Sequence, residues 1–306
     1  MQRNVTKKLV QWKTDPDRKP LILKGARQVG KTWLMKEFGE TCYTNSVYFN
    51  FDEADDFASI FESNKNPYRI IELLSHLSGQ KILPTETLVI LDEIQECSAA
   101  LNALKYFKEQ ANEYHIIAAS SLLGTLLAKP RSYPVGMVNL LDIWPMTFDE
   151  FLAAVDESLF TYYNKIQKGQ LIENIFHNRL LDLYNFYLII GGMPECVISW
   201  IHHRDPVKIQ QIQKELVAIY ENDFAKHHGQ VNTGRILLVF RSIVSQLAKG
   251  NEKFVYGSLK SAASFKAYIK DRLPKTAIRF SKRGYVTEGG ITNIPLYLAG
   301  KTKKLI

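Results

Sequence analysis

Residues 20–32 read Pro20-Leu-Ile-Leu-Lys24-Gly25-Ala26-Arg27-Gln28-Val29-Gly30-Lys31-Thr32. The first five form a short apolar run that fits a buried strand. The next eight match G-x-x-x-x-G-K-[ST] at every constrained position. Trp33-Leu-Met-Lys-Glu-Phe38 follows with helix-forming character and is expected to stop near Gly39. Strand, glycine loop and helix thus come in the order that a phosphate-binding loop requires. Glycines allow successive backbone N–H groups to point at phosphate oxygens, and the helix N-terminus adds its positive end. Loop residues Gly25 to Thr32 are therefore the candidate contacts to a nucleotide. Lys31 is placed to reach the β- and γ-phosphates, and the Thr32 hydroxyl to ligate Mg²⁺. The alternative, a chance match in an ordinary turn, does not account for the flanking strand and helix.

A second element points the same way. Thr87-Leu-Val-Ile-Leu-Asp92-Glu93 is an apolar strand ending in two acids. In an open parallel sheet, groups at the carboxyl ends of strands line the ligand crevice. Asp92 is then a Mg²⁺ ligand, direct or through water, and Glu93 orients or deprotonates a water. Glu93 and Lys31 are the catalytic candidates. Without the glycine loop, the two acids would read equally well as a solvated turn.

Two more β-rich runs, Ser46–Phe51 and Tyr114–Ala119, fit the same sheet, and Met137–Asp142 reads as a further strand. Ser120 and Ser121 end the second run, and either could sense the γ-phosphate; Ser121 is carried forward as a nucleotide contact. Both could equally cap a helix starting near Leu122. Thr147 with Glu150 three residues on forms a capping box ahead of Phe148–Phe151. Helices alternating with strands imply a parallel, doubly wound α/β domain over about residues 1–155.

The remaining composition narrows the class. The chain has 306 residues, 46% apolar and 23% charged, which is ordinary for a globular protein. A formal charge of +8 permits contact with nucleic acid without specifying it. Cys42, Cys97 and Cys196 are isolated and odd in number, reading as reduced thiols and not as a disulfide or zinc framework. The basic N-terminus lacks an apolar signal segment, and no run approaches the roughly 20 apolar residues of a membrane helix. A cytoplasmic location with no membrane partner is the expectation. His202-His203 and His227-His228 lack partners at zinc spacing and read as solvated helix ends.

The segments KPLILKGARQVGKT, SVYFNFDE, LVILDEIQ, YHIIAASSLLG and PMTFDEFL occur in this order and spacing. Together with Gly191-Gly-Met-Pro194 and Ile219–Phe224 they resemble the prokaryotic AAA-type ATPases of the AAA_14 class with a DUF4143 C-terminal domain. The resemblance covers essentially the whole chain. It implies ATP as the nucleotide, consistent with the lack of an Asn-Lys-x-Asp guanine motif. It also implies a helical and winged-helix-like region over 156–256 and a restriction-endonuclease-like fold beyond it. Relatives often act as oligomers.

Two departures qualify what the resemblance implies. Where many members carry Gly-Arg, Gly136 is followed by Met137, and Arg131 lies off the matching position. A missing arginine finger lowers hydrolysis by orders of magnitude where one operates, so slow or partner-dependent turnover is expected. The segment 257–306 is also short for the nuclease-like fold. Its acids Asp271 and Glu288 stand in no acid-x-Lys triplet, which argues against a nuclease. It reads as a shortened remnant, with a deletion near Lys260 and unpaired edges that pack poorly. The basic run from Lys249 to Arg283 could grip a phosphate backbone, or be a solvated face. Two functions follow: a Mg²⁺-dependent ATPase whose nucleotide state switches an attached helical domain, or a hydrolysis-deficient nucleotide-binding module that contacts DNA or a protein. A kinase-like transferase is a remote third.

Overall fold

The computed structural model describes residues 1–53, 57–121, 136–247, 278–288 and 291–302, and within 225–247 only the backbone except at Leu237, Phe240 and Arg241. The chain divides into two compact units, Met1–Met146 and Thr147–Ile306.

The first unit is built on five strands: β1 (Leu21–Lys24), β2 (Asn45–Asn50), β3 (Thr87–Asp92), β4 (His115–Ser120) and β5 (Asn139–Asp142). Every pairing is parallel, in the order β2-β3-β4-β1-β5. The chain therefore leaves β1 for the far edge, returns strand by strand, and passes β1 to finish at β5. That reversal of direction puts helices on both faces. Helices α1 (Thr6–Thr14) and α2 (Lys31–Cys42) cover one face; α3 (Ala58–Ser63), α4 (Pro67–Ser78) and α5 (Ser98–Gln110) cover the other. Period-two alternation decides which side chain faces which layer. Leu21, Leu23, Leu88 and Ile90 pack with Leu34 and Phe38, whereas Ile22, Val89 and Leu91 pack with Leu104 and Phe107.

Helix α2 does not stop at Gly39 but runs to Cys42. Gly39 is there for closeness: a Cβ on it would stand 2.8 Å from Ser46 Cβ on β2. In α4, Asn66 Oδ1 accepts from the Tyr68 and Arg69 N–H groups and Gly79 closes the helix at φ 68°, as expected of caps at the two ends.

The second unit begins with α6 (Phe148–Val155), the helix of the expected capping box, in which the Thr147 N–H donates to Glu150 Oε2 at 3.0 Å. It continues through α7 (Glu157–Lys165), α8 (Asn174–Ile190), α9 (Pro194–His203) and α10 (Pro206–Leu247). Ile219–Phe224 lies within this single helix α10, which continues past Arg235 to Leu247. No strand occurs over 156–247, so no winged-helix strand pair is seen there; 248–256 lie outside the described residues.

The tail forms a three-stranded sheet, β6 (Ile278–Ser281), β7 (Val286–Glu288) and β8 (Ile291–Pro295), in the order β6-β8-β7. The expectation that it would pack poorly is corrected here. Ile291, Ile294, Tyr297 and Leu298 are buried, Tyr163 on α7 donates to the Tyr297 carbonyl at 3.1 Å, and the Tyr297 hydroxyl meets His177 Nδ1 at 2.9 Å. Asn293 supplies the polar centre, accepting from Ser281 Oγ at 2.7 Å and donating to the Gly284 carbonyl at 2.8 Å. The stretch around Lys260 and most of the basic run lie outside the described residues.

Candidate functional site

Because all five strands are parallel, their carboxyl ends share one edge of the sheet, and the sequence-derived residues gather there. The loop Gly25–Gly30 leaves β1 and delivers Lys31 and Thr32 into the first turn of α2. Gln28 at φ 61° and Gly30 at φ 92° take left-handed backbone at the turns of the loop. Gly25 is required for a different reason. The Ile143 N–H donates to the Lys24 carbonyl at 2.7 Å, which brings the Ile143 carbonyl oxygen within 2.3 Å of where a Cβ on Gly25 would sit. Of the other loop residues, Ala26 and Gln28 are exposed, Arg27 is half-buried, and Val29 is buried in the α2-side core. The Val29 side chain therefore belongs to the core.

Lys31 is buried, and its Nζ donates to the Gly25 and Ala26 carbonyls at 3.0 Å each. Burial draws its ammonium below the usual lysine range; the Glu93 and then the Asp92 carboxylates oppose that shift, and Arg27 adds to it. Asp92 is buried at the end of β3. Its Oδ2 accepts from Thr32 Oγ1 at 2.5 Å and from the Tyr48 hydroxyl at 3.0 Å, and its Oδ1 accepts from the Glu93 N–H at 3.0 Å. Hydroxyl and carboxylate oxygens side by side are the hard donors that suit Mg²⁺. Glu93 adopts left-handed backbone at φ 49°, uncommon for a residue with a side chain. Its Oε2 accepts from Ser121 Oγ at 2.9 Å and from Gln95 Nε2.

β4 lies between β1 and β3, so Ser120 and Ser121 stand between the loop and the acids. Ser121 reaches Glu93, whereas Ser120 is fully buried and its Oγ has no hydrogen-bond partner among the described residues. The helix expected after Leu122 lies outside the described residues. Three contributors had no sequence signal: Tyr48, which donates to Asp92; Gln95; and Arg3. Arg3 is buried and donates to the Val29 carbonyl at 3.2 Å and to the Trp144 carbonyl at 2.6 Å. It thereby ties the loop to the segment after β5.

Fold and site together are those of a P-loop α/β domain, a parallel sheet with a glycine loop after its first strand. Residues 17–152 match the family model described as an AAA domain (AAA_14). Residues 181–272 match a different family, a domain of unknown function (DUF8612), across the position of Lys260. The expected DUF4143 domain is not found; DUF8612 stands there instead. No curated protein matches the chain. Among solved structures, the Walker-type ATPase Paby2304 of Pyrococcus abyssi has 16% identity and a TM-score of 0.43, covering 79% of this chain and 76% of that one. AMPPCP-bound DnaA from Aquifex aeolicus has 15% identity and a TM-score of 0.36, covering 72% and 65%. PCH-2 of C. elegans has 15% identity and a TM-score of 0.34, covering 69% and 65%. Among the described residues no helix is long and apolar enough to cross a membrane.

Proposed function

We propose that the chain binds ATP with Mg²⁺ on residues 25–32 and hydrolyses it slowly. The observation that carries this reading is the meeting of Thr32, Asp92 and Glu93 around buried Lys31: the 2.5 Å contact joins Thr32 and Asp92, and Glu93 follows directly. Thr32 Oγ1 and Asp92 would hold the metal, which when bound neutralises charge developing on the phosphates. Lys31, presently turned onto two loop carbonyls, would turn to the β- and γ-phosphates. The backbone N–H groups of the loop orient the phosphate chain. Glu93 takes a proton from water as its oxygen bonds to the γ-phosphorus. The bond from that phosphorus to the β–γ bridging oxygen breaks, giving ADP and inorganic phosphate.

The second unit is the element that such a cycle would act on. Its first residue, Thr147, follows four positions after Ile143, whose carbonyl rests against Gly25. A rearrangement of the loop on phosphate binding would reach the helical unit along this short connection.

Met137, where the resemblance places an arginine, favours a second reading in which nucleotide binds without turnover and the chain serves as a tether to DNA or a protein, alone or as an oligomer. Phosphate release and a nucleotide titration, run on wild type, Lys31→Ala and Glu93→Gln, separate the two. Release abolished in Lys31→Ala and cut to a residual rate in Glu93→Gln, with binding kept in Glu93→Gln, supports hydrolysis. Tight binding without release in wild type supports the tether, and the absence of any binding removes both.

A further inference from the structure

We infer that Gln95 is a positioning residue, holding the Glu93 carboxylate toward the attacking water. The inference rests on the hydrolytic reading of the site and adds a residue to it. Three features of the fold carry it.

The first is how Gln95 comes to lie beside Glu93. Left-handed backbone at Glu93 leads into a single 3₁₀ turn, Ile94–Glu96. Ile94 is fully buried and anchors that turn. Residue 95 is thereby folded back against the side chain of residue 93, and its Nε2 donates to Glu93 Oε2.

The second is where the donors fall. Gln95 Nε2 and Ser121 Oγ both go to Oε2, and they lie 3.4 Å from each other. Two neutral donors on one oxygen fix the plane of the carboxylate. They leave Oε1 as the oxygen presented to water.

The third is the cost that the amide carries. Gln95 Oε1 is buried and has no hydrogen-bond partner among the described residues. Turning the amide over would present that oxygen to a carboxylate, which repels it; only the NH₂ end can face Glu93. A buried acceptor left unpaired in a well-packed site calls for an explanation. Orientation of Glu93 supplies one, and an acceptor beside the carboxylate suits a water held between the two.

The test is a double-mutant cycle on the full chain, using single-turnover hydrolysis of Mg²⁺-ATP and a parallel titration of nucleotide binding. Gln95→Ala is expected to slow hydrolysis by roughly 10- to 100-fold, a part of the roughly 10²- to 10⁴-fold that general-base catalysis supplies, with nucleotide affinity unchanged. In a Glu93→Gln background the same change is expected to cost nothing further, because Gln95 acts through Glu93. Gln95→Met keeps the volume without the donor and should behave as Gln95→Ala; it stands in if the alanine variant fails to fold. An equal loss in both backgrounds, a loss that resides in affinity, or an unchanged rate overturns the inference. Wild type that binds nucleotide without hydrolysing it overturns the inference and leaves the binding site standing. Wild type that binds no nucleotide takes the functional reading down with it.

Discussion

The Thr32 hydroxyl donates to Asp92 Oδ2 at 2.5 Å, across 60 residues of chain. A hydroxyl on the first turn of a helix and an acid at the end of a strand two positions away in the sheet meet only because all the strands run in one direction. Asp92 accepts from Thr32, Tyr48 and the Glu93 N–H, and on the proposed reading the same oxygens pass to a cation.

That pairing sets the first expectation. Asp92→Asn keeps the size of the side chain and removes its charge. Affinity for Mg²⁺-ATP should fall about tenfold or more, since hydrogen bonds and contacts to a charged group contribute roughly 1.5–3 kcal/mol. Affinity for ATP in EDTA should hold or rise, because an anion facing the phosphates is gone. Titrations with and without Mg²⁺ check it; equal losses in both would refute a role for Asp92 in holding metal.

Gly39 sets the second. Gly→Ala inside a helix ordinarily gains about 0.5–1 kcal/mol. Here the new Cβ would stand 2.8 Å from Ser46 Cβ and 2.9 Å from its Oγ, so the sign should reverse to a loss of about 1–3 kcal/mol, as overpacking gives. Ser46→Gly removes the clashing atoms, and the double variant should be less destabilised than Gly39→Ala alone. Urea unfolding of the set measures this.

A third expectation concerns acid. His115 is buried at the start of β4, where the Tyr43 hydroxyl meets its Nδ1 at 2.7 Å. Burial, followed by the charges of Arg18 and Lys13, lowers its pKa to about 4. Burial raises that of Tyr43, so Tyr43 keeps its proton and donates to a neutral imidazole. Below pH 6.5 the unfolded chain takes up a proton that the folded chain refuses until about pH 4. Stability should therefore be full above pH 6.5 and fall through that window, by about 3 kcal/mol in all from this group. Unfolding free energies of wild type and His115→Gln from pH 7 to 5 should converge as pH falls; parallel curves would contradict the assignment.

The tail sets the last. Tyr297→Ala should destabilise the second unit by roughly 3 kcal/mol or more, as loss of a buried ring does. Tyr297→Phe should cost only about 1 kcal/mol for the bond to His177. Thermal unfolding distinguishes the two, and no effect from alanine would mean that the tail does not contribute to the stability of the unit.

Much of the first unit was legible because its signals are local. The loop motif, the apolar strand before it and the acid-ended strand Thr87–Glu93 each need only neighbouring residues to be read. Gly39 was misread as a helix stop because its real constraint, Ser46 on β2, lies on another element. Tyr48 and Arg3 were missed because their partners lie on other elements, and Gln95, although it follows the acid-ended strand, because only the left-handed turn at Glu93 folds it back. Arg3 acts on Val29 and Trp144, 26 and 141 residues away.

The sequence by itself determined the phosphate loop, the candidate metal and base residues, and the strands that could carry them, since hydrophobic periodicity and glycine placement act over a few residues. Only the tertiary structure decided that β4 stands between β1 and β3, that Ser121 and Gln95 close on Glu93, and that the short tail forms a packed sheet under Tyr163. All but the Gln95 contact depend on strand order or on residues far apart in the chain, and a local pattern carries no information about which distant partner will fill the space beside it; the Gln95 contact depends on left-handed backbone at Glu93, which no residue type there marks.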